Sequence, residues 1–420
     1  GQGVPVAVVD SRTEPPALER SRAELPADVA LFLGDFNAEA FERAEQIVIS
    51  PGVSMQEPAI AAAFARGIPV IGDIELFAQA AVAPVIAVTG SNGKSTVVTL
   101  LGAMARRAGL DVRVGGNIGT PALDLITEQE PDLYVLELSR YQLETVSSLR
   151  PQAAAVLNVS ADHMDRYTDL QAYAATKQSI FRQAAVQVFN LDDALVTSLV
   201  DRSRPHTGFG CSVPKDDNYG LVAVDGQTWL SRGRRLIMPA AAISMAGQHN
   251  LTNALAALAM GEATGIPLAS MIETLTEFRG LPHRMQYVGS GNDVRCFNDS
   301  KGTNVGATLA AIEGIDEQLV LIAGGDGKGA DFTPLAAAMQ DRGRAAVLIG
   351  KDAGLLETLL QEVVPVRRAT DMPEAVRFAA ELAQPGDCVL LSPACASTDM
   401  FRNFEQRGDV YMQAVQEYLS

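Results

Sequence analysis

The run Val85-Ile86-Ala87-Val88-Thr89-Gly90-Ser91-Asn92-Gly93-Lys94-Ser95-Thr96 decides the fold class. A β-branched stretch leads into a turn with two glycines, and Lys-Ser-Thr then opens a pattern of apolar residues at helical spacing. That is the layout of a phosphate-binding loop. Glycines let the backbone bring its N–H groups against phosphate oxygens, the helix N-terminus adds partial positive charge, and Lys94 reaches the outer phosphates. Ser95 or Thr96 then offers a hydroxyl to Mg2+. The common pattern G-x-x-x-x-G-K-[ST] is not met, because Val88 stands at its first glycine position and the turn is shorter. A plain glycine turn is the alternative, against which the lysine and hydroxyls argue.

Outward from the loop, the chain reads as alternating strands and helices. Val4-Pro5-Val6-Ala7-Val8-Val9-Asp10 looks like the second strand of a dinucleotide-type βαβ unit, ending in an acid. The first strand and glycine turn of such a unit are not in the sequence, nor is an initiator Met, so about two dozen further residues are expected before Gly1. Strand-like runs at 46–49 and 68–72 close this unit. Buried-strand runs at 133–138, 153–159 and 186–190 follow, with short alternating strands over 219–246. Past 281, runs at 318–323, 345–349 and 387–392 alternate with helical patterns near 332–342, 354–363 and 373–383.

The expectation is an α/β protein of three domains. A Rossmann-like unit takes 1–72. A central P-loop domain takes 73–280, with a mostly parallel sheet plus a small antiparallel sheet. A second Rossmann-like unit takes 281–420. A net charge of −17, from 33 basic and 50 acidic residues, argues against nucleic-acid and anionic-membrane partners, so any phosphate site is locally positive. Cys211, Cys296, Cys388 and Cys395 show neither disulfide nor metal spacing, which fits a cytoplasmic protein and small core residues. No uncharged apolar run approaches the roughly 20 residues of a membrane span.

Further motifs recur in order: Gly115-Gly116-Asn117-Ile118-Gly119, Leu136-Glu137-Leu138-Ser139, Asn158-Val159-Ser160-Ala161-Asp162-His163-Met164-Asp165-Arg166 and Gly247-Gln248-His249-Asn250-Leu251-Thr252-Asn253. Leu281-Pro282-His283-Arg284, Asn298-Asp299-Ser300-Lys301 and Leu391-Ser392-Pro393-Ala394-Cys395-Ala396-Ser397 follow. With the shortened loop, these resemble the Mur ligases and their relatives the folylpolyglutamate synthetases, over essentially the whole chain. The segment 391–408 is similar to that of the family branch that adds D-glutamate to UDP-N-acetylmuramoyl-L-alanine. The resemblance implies an ATP-dependent amide ligase of bacterial peptidoglycan synthesis, monomeric, with two Mg2+ sites. A ligase with another acceptor and a non-catalytic nucleotide-binding scaffold are the alternatives.

The resemblance also implies roles. Gly90, Ser91, Asn92, Gly93, Lys94, Ser95 and Thr96 would hold ATP, with Asn253 on phosphates, Arg284 on the γ-phosphate and Asp299 on ribose. Asp10, Ser11, Arg12, Gly52 and Asn117 match the uridine nucleotide-sugar contacts, and Ser139 and His163 lie toward the muramoyl-alanine end. Ser95 and Glu137 would hold one Mg2+, and His163 the second with Lys177 as its CO2-derived carbamate. Lys301, Thr303, Lys328, Ser397 and Phe404 match the D-glutamate end. From sequence alone, Glu137 reads as a rim residue, Lys177 as a surface lysine and His163 as either a packing or a site residue. Residues 10–12 read equally as a turn, Arg284 as an interdomain ion pair and Lys328 as part of a routine strand exit. Arg140, where the family usually has Ser, and Gly302, where it usually has Ala, depart from the pattern. ATP between the loop and Arg284 or Asp299 would require the third domain to close over the second.

Overall fold

The computed structural model describes residues 4–16, 18–36, 38–160, 169–245 and 247–419. Two compact units emerge: 1–81 together with 141–149, and 82–140 together with 150–420. In the first, strand Ala7–Asp10 pairs in parallel with Ala30–Leu33, and Ile47–Ile49 pairs with Val70–Gly72. Phe41, Ile47, Ile49, Ile60 and Ala63 form its small core. The segment 141–149 joins this unit through specific bonds: buried Glu75 accepts from the N–H groups of Ser147 (2.6 Å) and Ser148 (2.9 Å), and Gln142 donates to Asp73 (2.9 Å).

The second unit holds two sheets. The larger has nine strands in the order Arg235–Pro239, Gln227–Arg232, Tyr219–Val224, His206–Phe209, Val186–Asn190, Ala153–Val156, Val85–Thr89, Leu133–Glu137 and Val112–Gly116. The last six strands in this order are parallel. The expected antiparallel strands over 219–246 form an up-and-down meander that continues the same sheet through one pairing, Phe209 with Tyr219. The smaller sheet orders Gln286–Gly291, Val294–Asn298, Cys388–Leu391, Leu319–Gly324, Gly343–Ile349 and Val366–Arg368; only the first pair is antiparallel.

Burial explains why the parallel strands carry no polar alternation. All five residues of Val85–Thr89 and all five of Leu133–Glu137 are buried, because helices cover both faces. Helix Lys94–Arg107 buries Val97, Val98, Leu100, Leu101 and Met104 in the core shared with helix Gln248–Ala263. Each buried Leu side chain is worth about 1.5–3 kcal/mol of transfer free energy, so this face anchors the helix that the loop opens. In the smaller sheet, Leu319–Gly324 is likewise wholly buried, with separate apolar clusters on its two faces. Three cysteines are buried as expected; Cys211 is half-exposed, on a loop beyond the strand His206–Phe209.

Candidate functional site

Parallel order puts the ends of neighbouring strands on one edge. Val88 pairs with Glu137 and Thr89 with Val156, so the loop 90–93, Glu137 and the segment 157–160 emerge together at the carboxyl edge, where α/β sheets bind ligands. Gly93 caps helix Lys94–Arg107 at φ 82, and a side chain there would collide with Asn253 Oδ1. Asn158 locks the loop: its carbonyl accepts from Ser91 N (2.9 Å), its Oδ1 from Asn92 N (2.8 Å), and its Nδ2 donates to Asn92 O (3.1 Å). Lys94 Nζ donates to the carbonyls of Gly90 (2.9 Å) and Ser91 (3.0 Å), which folds the ammonium over the loop. Ser95, Thr96 and Ser91 are buried.

Glu137 is only 3% exposed, so it is no rim residue. Its Oε1 accepts from Asn117 Nδ2 (2.9 Å), and its Oε2 is buried with no hydrogen-bond partner among the described residues. A buried carboxylate oxygen without a protein donor is the kind of hard ligand that Mg2+ takes. No group of three or more His, Cys, Asp or Glu that could hold a metal is found among the described residues. Ser139 follows, half-buried.

Lys177, the expected surface lysine, is 2% exposed in helix Leu170–Gln178, with Nζ 4.5 Å from the Tyr173 ring centroid. Helical spacing puts residues four apart on one face, and this face turns inward. Arg140 is also buried, 5.9 Å from the same ring, and the Tyr173 hydroxyl lies 3.3 Å from Ser91 Oγ. His163 falls outside the described residues.

Residues from segments beside the smaller sheet reach the loop directly. Arg284 Nη2 donates to Ser95 Oγ (2.7 Å), and the Asn92 and Asn304 side-chain amides exchange hydrogen bonds of 3.4 and 3.2 Å. Arg284 and Asn304 therefore meet the loop within one compact unit. His283 and Met285, on either side of Arg284, both take left-handed backbone (φ 60 and 44). Desolvation pulls the Arg284 guanidinium below its ordinary pKa, against the attraction of Glu137 and Asp299. Burial pushes Asp299 up to about 7, opposed by hydrogen bonds from Ser392 and Met285 N. Lys301 is pushed down to about 8 by burial and by the charge of Arg284.

Lys301 Nζ stands 3.8 Å from the Phe404 ring centroid, and Ser300 Oγ donates to the Phe404 carbonyl (2.8 Å). Thr303 is half-buried two residues on. An isolated pairing of Asp326 with Ala396 sets the loop of exposed Lys328 (φ 50) beside the loop of buried Ser397. One residue that carries this arrangement was absent from the sequence expectation. Arg407, 1% exposed, donates to Ser300 Oγ (3.0 Å), Ser300 O (2.8 Å) and Cys395 O (3.1 Å), binding three segments together. An arginine in a polar helix start carries no sequence signal of burial; only its place in the 391–408 motif marked it.

A cavity of about 340 Å3 lies among these groups, lined by Asn92, Gly93, Thr96, Asn253, Arg284, Asp299 and Lys301 with others. It gathers seven of the residues assigned to ATP or D-glutamate. In the first unit, Arg12 clamps Asp10 through its N–H (2.9 Å) and its guanidinium (2.7 and 2.9 Å), holding that carboxyl at about 2. Ser11 lies between them, and Gly52 is exposed after the strand Ile47–Ile49.

Family profiles match this chain in sequence order: the Mur ligase MurD-like N-terminal domain over 1–72, the Mur ligase middle domain over 88–261, and the Mur ligase glutamate ligase domain over 283–395. The UDP-N-acetylmuramoylalanine–D-glutamate ligase of Nitrosococcus oceani is 56% identical, covering 100% of this chain and 93% of its own. The chain belongs to the Mur ligase family. The enzyme of the same name from Pseudomonas aeruginosa is 50% identical, over 99% of this chain and 93% of its own. Among solved structures, the MurF ligase of Thermotoga maritima in complex with ADP superposes with a TM-score of 0.64 at 17% identity, over 90% of this chain and 97% of that one. E. coli FolC, in complex with DHPP and ADP, gives 0.62 at 17%, over 83% and 94%. At such identity the likeness speaks for the Mur ligase fold alone. Among the described residues no helix is long and apolar enough to cross a membrane.

The Asp299 carboxyl gives this site a pH signature. Raised in the folded chain, it binds more protons folded than unfolded between its ordinary value and about 7. The stability it contributes is full in acid and lost as pH rises through that window. The unfolding midpoint of the wild type should therefore fall relative to Asp299→Asn as pH goes from about 5 to about 8. Parallel curves in a thermal-melt series would assign Asp299 an ordinary pKa.

Proposed function

We propose that this chain is an ATP-dependent ligase that joins D-glutamate to UDP-N-acetylmuramoyl-L-alanine in peptidoglycan precursor synthesis, releasing ADP and phosphate. The observation that carries the reading is identity of 56% across the full chain to a relative with that name, together with a locked phosphate loop facing a buried carboxylate and three cationic side chains. It works as a cytoplasmic monomer with domains at 1–72, 73–280 and 281–420.

A carboxylate is a poor electrophile with poor leaving groups, and transfer of the γ-phosphoryl group from ATP to one of its oxygens removes both obstacles. The acyl phosphate then takes the amine of D-glutamate, the C–O bond to phosphate breaks, and an amide remains. The N–H groups of Gly93–Thr96 at the helix start, the Lys94 ammonium and Asn253 cradle the phosphates, with Gly90, Ser91 and Asn92 shaping the loop around them; Arg284 holds the transferring group in its planar fork, and Asp299 accepts from ribose. Ser95 and Glu137 would hold Mg2+, which when bound neutralises charge on the phosphoryl oxygens. Lys177, withdrawn from solvent beside the loop, would serve a second Mg2+ with His163 after CO2 converts it to a carbamate. Asp10, Ser11, Arg12, Gly52 and Asn117 bind the nucleotide sugar, Ser139 the muramoyl-alanine end. Lys301, Thr303, Lys328, Ser397 and the backbone beside Phe404 fix the two carboxylates of D-glutamate so that its amine points at the acyl carbon.

Lys94→Ala removes a charge worth most in the transition state, so kcat should fall by at least about a hundredfold in a phosphate-release assay; near-normal turnover would refute the loop's role. Lys328→Ala should raise KM for D-glutamate roughly ten- to a hundredfold, the scale of a charged hydrogen bond, with ATP binding little changed. Preference for L-glutamate or a folate in the wild type would overturn the acceptor. Activity should depend on CO2, and Lys177→Ala should be partly restored by small carboxylates; an active, metal-bound enzyme with unmodified Lys177 by intact mass removes the carbamate from the mechanism.

A further inference from the structure

Three loops lock together at the carboxyl ends of the strands Leu319–Gly324, Gly343–Ile349 and Cys388–Leu391. Backbone meets backbone there. Asp326 and Ala396 exchange N–H to carbonyl hydrogen bonds of 3.0 and 2.9 Å, and Asp352 N donates to Gly325 O (3.0 Å). A Cβ on Gly325 would collide with Ala396 O, so the loops approach too closely for a side chain between them. Three carboxylates are built into this junction. Asp352 Oδ2 accepts from Gly327 N (2.7 Å), Asp399 Oδ2 from Lys351 N (2.8 Å) and Asp326 Oδ1 from Lys328 N (3.0 Å). The second Asp326 oxygen, Oδ2, pairs with the Lys351 ammonium at 3.1 Å, and not with that of Lys328. Lys328 itself is left-handed (φ 50) with an exposed side chain.

We propose that Lys351 is a positioning residue for the acceptor: it matches the charge of Asp326, so that Asp326 holds the Lys328 turn while the Lys328 ammonium is left to a carboxylate of the incoming dicarboxylate. This rests on the D-glutamate reading of Lys328 and Ser397. A residue other than glycine keeps a positive φ only where its surroundings hold it there, and an aspartate two residues back that accepts from its N–H does so. The same aspartate brings a liability. Its carboxyl is held below the usual range, first by the Lys328 N–H and next by Lys351, so it is charged at neutral pH. Unmatched, that charge would compete with the substrate for the Lys328 ammonium and repel a dicarboxylate. Lys351 removes the conflict without occupying Lys328. Its side chain is 60% exposed, so the effect is modest and screened by salt.

The test reads KM for D-glutamate, KM for ATP and kcat by phosphate release, at about 0.05 and about 0.5 M salt. Wild type is compared with Lys328→Ala, Lys351→Met, Lys351→Arg, Asp326→Ala, Asp326→Asn and the double variant Asp326→Asn with Lys351→Met. At low salt Lys351→Met should raise KM for D-glutamate about two- to fivefold, the scale of an exposed ion pair, with kcat and KM for ATP kept. Lys351→Arg should match wild type, and high salt should shrink the Lys351→Met effect. Asp326→Asn keeps an acceptor for Lys328 N and removes the charge, so the double variant should return to within about twofold of wild type; coupling of this sign is what two residues acting through one charge give. Asp326→Ala loses the acceptor as well and should raise KM about tenfold whatever stands at 351. Lys351 is a surface side chain, so its variants carry the test even if Asp326→Ala folds poorly. An unchanged KM in Lys351→Met at low salt, or a double variant as poor as Lys351→Met, overturns the inference. A wild-type KM for D-glutamate in Lys328→Ala would instead overturn the D-glutamate reading of Lys328 itself.

Discussion

The site depends on one close backbone approach. The loop 90–93 leaves a buried strand and turns into a helix against Asn158 and Asn253 with no room for a side chain at Gly93. Asn158 accepts from the N–H groups of Ser91 and Asn92 and donates to the Asn92 carbonyl, which fixes the shape of the turn. A pre-shaped cradle loses little ordering entropy on binding. The apolar face of helix Lys94–Arg107 fixes where the cradle sits, and the sheet register fixes what faces it.

Electrostatics then concentrates what the overall composition lacks. A chain of net charge −17 brings Lys94, Arg284 and Lys301 within electrostatic reach of one another, with Glu137 among them. Burial pulls both Lys301 and Arg284 below their ordinary pKa values, and for Lys301 the neighbouring charge of Arg284 adds to the cost. The Arg284 guanidinium donates to the Ser95 hydroxyl at the start of the helix, which ties it to the loop.

Arg407 performs the corresponding task away from the phosphates. Its three hydrogen bonds join the turn at 300, the loop at 395 and the helix Phe404–Leu419, so the residues assigned to the amino-acid substrate hang on one buried guanidinium. Burial pushes it down to about 10, and the carbonyls and hydroxyl around it supply the acceptors that an unpaired charge would need.

The sequence by itself determined the elements whose signals are local. The strand–glycine–lysine–helix grammar marked the phosphate loop, long apolar runs marked the buried parallel strands, and ordered motifs marked the family. Exposure and partnership were not local properties. Lys177 looked like a surface lysine because helical spacing does not say which face turns inward, and Glu137 looked like a rim residue because a strand end does not reveal what covers it. Segment 141–149 follows a strand of one unit yet packs with the other, through bonds from residues far away in sequence. What surrounds a glycine was equally invisible: Gly93 takes a left-handed φ and also has Asn253 standing where a side chain would go. Only tertiary structure decides such questions, because they depend on atoms brought together across hundreds of residues rather than on the order of neighbours along the chain.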